Sequence, residues 1–234
     1  MADDSVVLVH SSDIHVDDEA RPAPASGLDG LRAVLAIAGR LGAQVVLLAG
    51  DTFDNARVSQ KVLDQATAIL AGAAMPVVML PGNHDPAMED CLFRRAGLTA
   101  LGHVHILGVT HGDTVRFDAW DLEIRGRAHV SYNDMPPLPR WTREARFQVV
   151  MAHGHYVPQA DWKQHAHRAW KISDADIAAC EADYIALGHW DRATPAGEGR
   201  VAAYYSGSPD LAGTVNVVRL GGVDGVVVER VGLA

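Results

Sequence analysis

The stretch that decides the fold is Val45-Val46-Leu47-Leu48-Ala49-Gly50-Asp51-Thr52-Phe53-Asp54, an apolar run that ends in polar side chains. Five consecutive apolar residues predict a buried strand. The spacing of apolar residues predicts a helix on either side of it, over 28–41 and over 59–71. Further apolar runs predict strands at 6–9 and 77–80. Because strands and helices alternate, the first half of the chain should form a largely parallel sheet with right-handed crossovers.

The second half of the chain is dominated by short strand-like runs. We predict strands at 105–107, 114–117, 122–127, 147–152, 184–187, 201–205, 214–220 and 226–231. Helices are predicted over 88–96 and from Ser173 to a point near Cys180. These elements predict an α/β (α+β) fold of one domain, residues 1–234, in which a second, more antiparallel sheet packs on the first.

Composition limits the functions that this chain can have. Its 234 residues carry a formal net charge of −9, and 48% of them are hydrophobic, which is typical of a globular protein. The acidic balance argues against a protein that holds nucleic acid by bulk electrostatics, because such binding needs a basic face. The two cysteines, Cys91 and Cys180, have no metal-binding spacing, so we expect reduced thiols. The acidic start does not resemble a secretory signal and no apolar stretch is long enough to span a bilayer, so we expect a cytoplasmic protein without a membrane partner.

Metal-ligating side chains follow five of the predicted strands. These strand ends are 11–15 (Ser-Ser-Asp-Ile-His), 50–55 (Gly-Asp-Thr-Phe-Asp-Asn), 81–85 (Pro-Gly-Asn-His-Asp), 152–155 (Ala-His-Gly-His) and 188–191 (Gly-His-Trp-Asp). An aspartate after a single strand is usually a turn former or a helix cap. Ligands bind at the carboxyl ends of strands in open α/β sheets, however, and five such ends in one chain favour a shared functional site.

The residue types in these strand ends suit a pair of divalent cations. Two such ions repel each other, so they need a bridging anion with several oxygen and nitrogen ligands around them. Asp51 is the natural bridge, while Asp13 and His15, two residues apart, can both face one ion. Further ligands are offered by Asn83, His153 and His189. Mixed oxygen and nitrogen ligation favours Mn, Fe or Zn over Ca or Mg.

The five-part pattern resembles the calcineurin-like metallophosphoesterase superfamily. Its parts are Asp-x-His, Gly-Asp-x-x-Asp, Gly-Asn-His-Asp, His-Gly and a final motif that begins Gly-His, and the match runs from Val6 to Asp191. Similarity to the SbcD-type DNA repair exonuclease branch is found at 12–15, 50–54, 186–189 and 205–209. The resemblance implies a β-sandwich of two sheets flanked by helices in four αββα layers. It also implies a metal-dependent phosphoric ester hydrolase.

The same resemblance implies how the ligands divide between two metal ions. The first ion takes Asp13, His15 and Asp51. The second ion takes Asp51, Asn83, His153 and His189. Mn is the metal that we expect, with Fe, Zn and Mg as alternatives.

The catalytic residues implied by the resemblance are His84 and Asp85. His84 matches the family's histidine that stabilises the phosphate or protonates the leaving oxygen. Asp85 and Asp54 would orient imidazoles and loops around the metal ions. His155 follows a predicted ligand by two residues, and we expect it to bind substrate in the pocket.

The last motif departs from the family pattern. The family usually ends it with Gly-His-x-His, whereas this chain has Gly188-His189-Trp190-Asp191. In one interpretation Asp191 replaces the histidine as a ligand of the first ion, which makes that site more anionic and favours Mn or Mg. In the other, Asp191 pairs with Arg192, the first site is weakened, and activity is altered or lost.

These features predict a phosphoesterase that hydrolyses a phosphate mono- or diester with a hydroxide activated by two metal ions. The expected substrate is a phosphorylated small molecule, because the net charge disfavours nucleic acid. An SbcD-like nuclease is the alternative, and a non-catalytic binding protein with a compromised site is the second alternative. Residues 162–168 either rim the pocket, where Lys163 and Arg168 would attract an anionic substrate, or form a solvated loop.

Overall fold

The computed structural model describes residues 5–18, 27–158, 169–223 and 225–233. In chain order, the strands of these residues are β1 (Val6–Ser11), β2 (Val45–Ala49), β3 (Val77–Leu80), β4 (Val104–Ile106), β5 (Thr114–Phe117), β6 (Leu122–Gly126), β7 (Phe147–His153), β8 (His155–Tyr156), β9 (Lys171–Ile172), β10 (Tyr184–Gly188), β11 (Thr194–Ala196), β12 (Ala202–Tyr205), β13 (Thr214–Leu220) and β14 (Val226–Gly232). The helices are α1 (Gly27–Arg40), α2 (Gln60–Ala71), α3 (Leu92–Arg95), α4 (Asp174–Ala178) and α5 (Pro209–Ala212).

Most strands form two six-stranded sheets. The first sheet has the order β14-β13-β1-β2-β3-β4, and the second has the order β11-β12-β10-β7-β6-β5. In the first sheet, β1 to β4 pair in parallel, and β13 and β14 add antiparallel strands beside β1. The second sheet has a parallel centre, β12-β10-β7-β6, with an antiparallel strand at each edge. The prediction of a more antiparallel second sheet is therefore wrong, because strands far apart in sequence pair in parallel there.

The four predicted helices form, one of them shorter than predicted, and α5 was not predicted. Ser59 caps α2, since its hydroxyl accepts the amide of Val62 at 3.4 Å. Ser173 and the third helical residue form a capping box at α4. The helix predicted over 88–96 is reduced to α3, because Cys91 has an extended backbone (φ −65°, ψ 154°) that starts the helix late. No helix within the described ranges has the length and apolarity that crossing a membrane requires.

Successive side chains of a strand point to opposite faces of its sheet, so each sheet packs against a helix on one face and against the other sheet on the other. Val7 and Val9 of β1 pack against Leu31 of α1 on the outer face of the first sheet. Leu8 points the other way and packs with Tyr184 between the two sheets. A third apolar cluster packs α4 against the outer face of the second sheet. The fold is therefore two mixed sheets flanked by helices, which confirms the predicted αββα layers.

Candidate metal centre

The polar strand ends meet where the two sheets approach each other. After β1, the amide of Asp13 donates to the carbonyl of Gly50, which follows β2, at 3.0 Å. The carboxylate of Asp13 accepts the amide of His189, which follows β10, at distances of 2.9 and 3.1 Å. Because β1 and β2 belong to the first sheet and β10 to the second, these bonds bring residues of both sheets into one site.

Strained backbone is concentrated at this site. Within the described ranges six non-glycine residues have a positive φ, and four of them are predicted ligands: Asp13 (53°), His15 (51°), Asp51 (51°) and His189 (103°). A positive φ is uncommon for residues that carry a side chain and is maintained only where the surroundings enforce it. Such strain supports a functional site rather than a set of ordinary turns.

Two glycines allow the strand ends to approach each other. A Cβ atom at Gly50 would lie 2.0 Å from Nδ1 of His153, and one at Gly82 would lie 2.2 Å from Oδ1 of Asp51. Both separations are far shorter than van der Waals contact, so a side chain at either position would displace a predicted ligand. The glycines of the Gly-Asp and Gly-Asn motifs are therefore packing requirements of this site.

Three groups of possible ligand atoms lie at this site: two share Asp51, and the third joins His15 to Asp54 and His84. In the first group, those of Asp13, His15 and Asp51 all lie within 4.8 Å of one another. In the second group, those of Asp51, His153 and His189 do so. The shared residue is 2% exposed, so its carboxylate is enclosed between the groups. This is the position that a bridging anion between two cations requires.

Asn83 completes the second group. Its Oδ1 lies 3.0 Å from Nε2 of His153 and 3.0 Å from Nδ1 of His189. Nε2 of His153 lies 3.1 Å from Oδ2 of Asp51. The second group thus presents one carboxylate, one amide oxygen and two imidazoles within a few ångströms.

Contacts behind the imidazoles select the nitrogen that faces the centre. Nδ1 of His153 donates to the carbonyl of Ala49 at 2.9 Å, which leaves Nε2 as the ligand nitrogen. Nδ1 of His15 lies 3.2 Å from Oδ1 of Asp54, which agrees with the orienting role implied for that carboxylate. Partners of this kind fix the tautomer and the ring orientation of metal-binding histidines.

The buried carboxylates favour positive charge at this site. Burial raises the pKa of Asp13 to about 6, although His153 partly offsets the effect. Burial alone would also raise the pKa of Asp51, yet His153 and the amide of His84 lower it well below its usual range. Burial would lower the pKa of His153, but Asp51 and Asp13 raise it to about 10. The carboxylates thus attract a proton to the imidazole, and divalent cations among these oxygen and nitrogen donors would supply the same charge.

The two predicted catalytic residues have different surroundings. His84 is exposed, and its Nδ1 donates to the carbonyl of Asp54 at 2.7 Å, so Nε2 is the nitrogen that can meet a substrate. Asp85 is buried and accepts the amide of Gly82 at 2.7 Å and that of Phe53 at 3.0 Å. Its carboxylate ties two strand-end loops together. This geometry supports a positioning role for Asp85 and a direct role for His84.

Asp191 lies outside all three groups of ligand atoms, although it is among the described residues. Its side chain is exposed, and its carbonyl accepts the amide of Ser208 at 3.1 Å. Together with Arg192 it lines a cavity beside His189. The interpretation of Asp191 as a ligand of the first ion stays a prediction.

The cavity beside the second group has a volume of about 620 Å³. Its lining is His155, His189, Trp190, Asp191, Arg192 and Leu211. The indole Nε1 of Trp190 donates to Nδ1 of His155 at 3.0 Å, so the neutral imidazole carries its proton on Nε2. Trp190 also stacks on Tyr205 with ring centroids 4.6 Å apart, which fixes this wall of the cavity. The predicted rim segment, 162–168, lies outside the described residues.

Sequence reasoning missed Trp170, whose ring lies 6.0 Å from His189 and 5.2 Å from His129. Its φ of 52° is a further strained angle near the centre, and its amide donates to Asp134 at 2.6 Å. His129 is also close to the centre, since it is buried and its Nε2 donates to the carbonyl of His153 at 2.8 Å. Neither residue belongs to a motif, so no spacing in the sequence marks them.

A family model described as calcineurin-like phosphoesterase matches residues 6–192. The chain therefore belongs to the calcineurin-like phosphoesterases and is a metal-dependent phosphoester hydrolase. Members of this family normally bind a pair of divalent metal ions, and the two ligand groups are the candidate positions for them here.

Solved structures share this fold at low sequence identity. A protein of Thermus thermophilus is 12% identical, with a TM-score of 0.61 over 98% of this chain and 99% of that one. A candidate 5′-nucleotidase from Staphylococcus aureus, in complex with α-ketoglutarate, is 14% identical with a TM-score of 0.59. That match covers 97% of this chain and 53% of the other, so this chain spans about half its length. No curated protein matches the sequence. None of these matches supports the similarity to the SbcD-type branch.

Proposed function

We propose that this phosphoesterase hydrolyses the phosphate ester of a small molecule at a two-metal centre. The observation that carries the proposal is the sharing of one buried carboxylate, that of Asp51, by two groups of ligand atoms. The first ion would be held by Asp13, His15 and Asp51, with Asp191 as its additional ligand. The second would be held by Asp51, Asn83, His153 and His189. Mn is the proposed metal because the donors mix carboxylate, amide and imidazole.

Two divalent ions, when bound, would polarise the phosphoryl oxygens and lower the pKa of a shared water. His84 would act on the opposite side of the reaction, at the leaving oxygen. Because its Nδ1 proton is held by the carbonyl of Asp54, His84 donates a proton from Nε2 only in its imidazolium form. In that form it would also stabilise negative charge on the phosphoryl group.

The cavity supports a small organic group as the rest of the substrate. Its volume of about 620 Å³ is within the range of small-molecule sites. Trp190 and Leu211 offer apolar surface, and Arg192 offers positive charge at the cavity wall. His155 also lines the cavity, and the bond from Trp190 to its Nδ1 fixes the tautomer of its ring. The net charge of −9 disfavours a polyanionic substrate such as DNA.

The test is a comparison of substrates on protein of known metal content. Metal-depleted protein is reloaded with Mn²⁺, Zn²⁺, Fe²⁺ or Mg²⁺ and assayed with bis-p-nitrophenyl phosphate, p-nitrophenyl phosphate, a 5′-nucleotide and linear DNA. We expect two ions per chain with Mn²⁺ and hydrolysis of at least one small ester. The nucleotide is included because a candidate 5′-nucleotidase has this fold.

Two results would contradict the proposal. Cleavage of DNA in preference to every small ester, with a steep dependence on salt, would favour the nuclease. Two bound ions without hydrolysis of any substrate would favour the non-catalytic binding protein.

We also propose that residues 1–234 are a single phosphoesterase domain that acts in the cytoplasm. The strands beyond the family match, β13 and β14, complete the first sheet next to β1, which supports one domain. Cys91 and Cys180 are buried and unpaired, which is compatible with a reducing compartment.

A further inference from the structure

We propose that His105 and His111 form a separate binding site for one transition-metal ion, away from the two-metal centre. Nδ1 of His105 and Nε2 of His111 lie 3.4 Å apart. This is long for a hydrogen bond between two imidazoles. Two nitrogens that are each about 2.0–2.1 Å from a tetrahedral ion lie about 3.3–3.4 Å from each other. The pair therefore already has the spacing of two ligands on one ion.

The backbone holds the two histidines in register. His105 lies in β4, and His111 lies in the turn that follows this edge strand. The turn is closed by the amide of Gly108, which donates to the carbonyl of Gly112 at 3.1 Å. The amide of His111 also donates to the carbonyl of Ile106 at 3.2 Å. The spacing of the two rings is thus set by a defined turn and not by a free loop.

Neighbouring side chains orient both rings. The ring of His105 packs edge-on against Phe117, with centroids 5.5 Å apart. Nδ1 of His111 lies 2.9 Å from the hydroxyl of Thr110, and that hydroxyl donates to the carbonyl of Ile106 at 3.3 Å. The same hydroxyl accepts the amide of Ile106 at 2.8 Å, and when Nδ1 of His111 donates to it, the lone pair of Nε2 faces His105. This is how partners outside a metal site prepare a histidine ligand.

The surroundings of the pair leave room for an ion and its other ligands. His103 itself is engaged elsewhere, because its Nε2 contacts the carbonyl of Leu70 at 3.0 Å. His105 and His111 are both partly exposed, so further coordination positions face water or a ligand from outside.

The donors distinguish this pair from the two-metal centre. The pair offers imidazole nitrogen alone, which suits Cu²⁺, Ni²⁺ and Zn²⁺ better than Mn²⁺ or Mg²⁺. The centre, in contrast, combines imidazoles with carboxylate and amide oxygens. We therefore expect Zn²⁺ to fill both places and Mn²⁺ to fill the centre alone.

The test counts bound ions in matched variants. Wild type, His105→Gln, His111→Gln and the control His103→Gln are titrated with Zn²⁺ by equilibrium dialysis until the wild type is saturated. We expect His105→Gln and His111→Gln each to bind one ion per chain fewer than wild type, and His103→Gln to bind the same number. Mn²⁺-dependent hydrolysis should be equal in all four proteins, which checks that the fold and the centre are intact.

Equal Zn²⁺ stoichiometry and affinity in all four proteins would overturn the proposal, since the pair would then be a hydrogen bond and nothing more. The result is independent of the proposed function. A protein without hydrolytic activity would still lose one ion when either histidine of the pair is replaced.

Discussion

Two buried polar clusters cross the gap between the sheets, and they differ in charge. One is the metal centre, and the other is the buried histidine network of His10, Tyr184 and Asn216. In this network Nδ1 of His10 accepts the hydroxyl of Tyr184 at 2.8 Å, and the amide of Asn216 donates to the same hydroxyl at 3.3 Å. All three side chains are fully buried, and burial lowers the pKa of His10 to about 3. The network is therefore neutral.

His153 in the metal centre is as buried as His10, yet its pKa is raised to about 10. The partners cause the difference. Carboxylates of Asp51 and Asp13 surround His153, whereas a hydroxyl and an amide surround His10. Burial excludes an isolated charge, but buried carboxylates require a compensating one. The network is neutral and needs no ion, whereas the carboxylates of the candidate metal centre attract positive charge.

The replacement Asp51→Asn should have the largest effect, because it removes a charge that distinguishes the metal centre from the neutral network. It keeps the size of the shared ligand but removes the negative charge that would bridge the two proposed ions and that raises the pKa of His153. We expect kcat/KM for the best small ester to fall about 1000-fold or more, with loss of bound Mn²⁺. Metal analysis and steady-state kinetics provide the measurement.

The control for that loss is Asp29→Asn, which removes the same charge from the exposed face of α1. It should leave activity and metal content unchanged. Retention of two ions and of activity in Asp51→Asn would remove the carboxylate bridge from the mechanism.

His84→Ala should separate catalysis from metal binding. The side chain is exposed beside the centre and lies outside the proposed ligand set. We expect about a 100-fold fall in kcat, as for loss of a general acid, while both ions stay bound. If kcat is unchanged, His84 has no role in the reaction. If the ions are lost, His84 takes part in metal binding together with His15 and Asp54.

The strands and the centre could be predicted largely because their signals are local. β2 and β3 have the predicted bounds, since each is an apolar run that stops at a glycine or proline. The predicted ligands directly follow such runs, so parallel strands bring them together. α3 is shorter than predicted because apolar spacing does not reveal the extended backbone of Cys91.

The parts that could not be predicted depend on contacts between distant residues. His10 and Tyr184 are separated by 174 positions, and no motif connects them. Trp170 approaches the centre through a strained backbone angle that composition does not encode. The parallel pairing of the second sheet likewise joins strands whose partners are set by long-range packing rather than by local pattern.

The neutral network should make stability depend on pH through His10. Because its pKa is lowered from 6.5 to about 3, the unfolded chain takes up a proton below pH 6.5 that the folded chain does not. Stability therefore falls as pH decreases, by about 2 kcal/mol between pH 6.5 and pH 4.5. Urea unfolding of metal-free wild type and His10→Gln, at both pH values, measures this contribution as a difference.

The variant should be less stable than wild type at pH 6.5 and should lose less stability on acidification. Other titrating groups, including those of the metal centre, are common to both proteins and cancel. If stability changed with pH by the same amount in both proteins, His10 would not be the cause of this pH dependence.

Asp191→Ala tests whether Asp191, which lines the cavity beside His189, is a ligand of the first ion. As a ligand of the first ion, Asp191 should contribute about tenfold to its affinity, because its carboxylate is exposed and the other ligands persist. Arg192→Ala is the control, as it changes the neighbouring side chain of the same cavity. Mn²⁺ titration should show weaker binding of one ion in Asp191→Ala alone. Unchanged occupancy of both sites would contradict ligation.

Trp190→Phe should have the smallest effect. It tests how the wall of the cavity contributes to substrate binding. The change keeps a ring to stack on Tyr205 and removes the N–H that fixes the proton of His155 on Nε2. Loss of one such hydrogen bond, about 1 kcal/mol, should lower kcat/KM about fivefold without changing metal content. Trp120→Phe, at a ring pair with Phe117, is the matched control and should have no effect. If Trp190→Phe matches wild type, the tautomer of His155 does not limit turnover, and the apolar wall alone accounts for the role of Trp190.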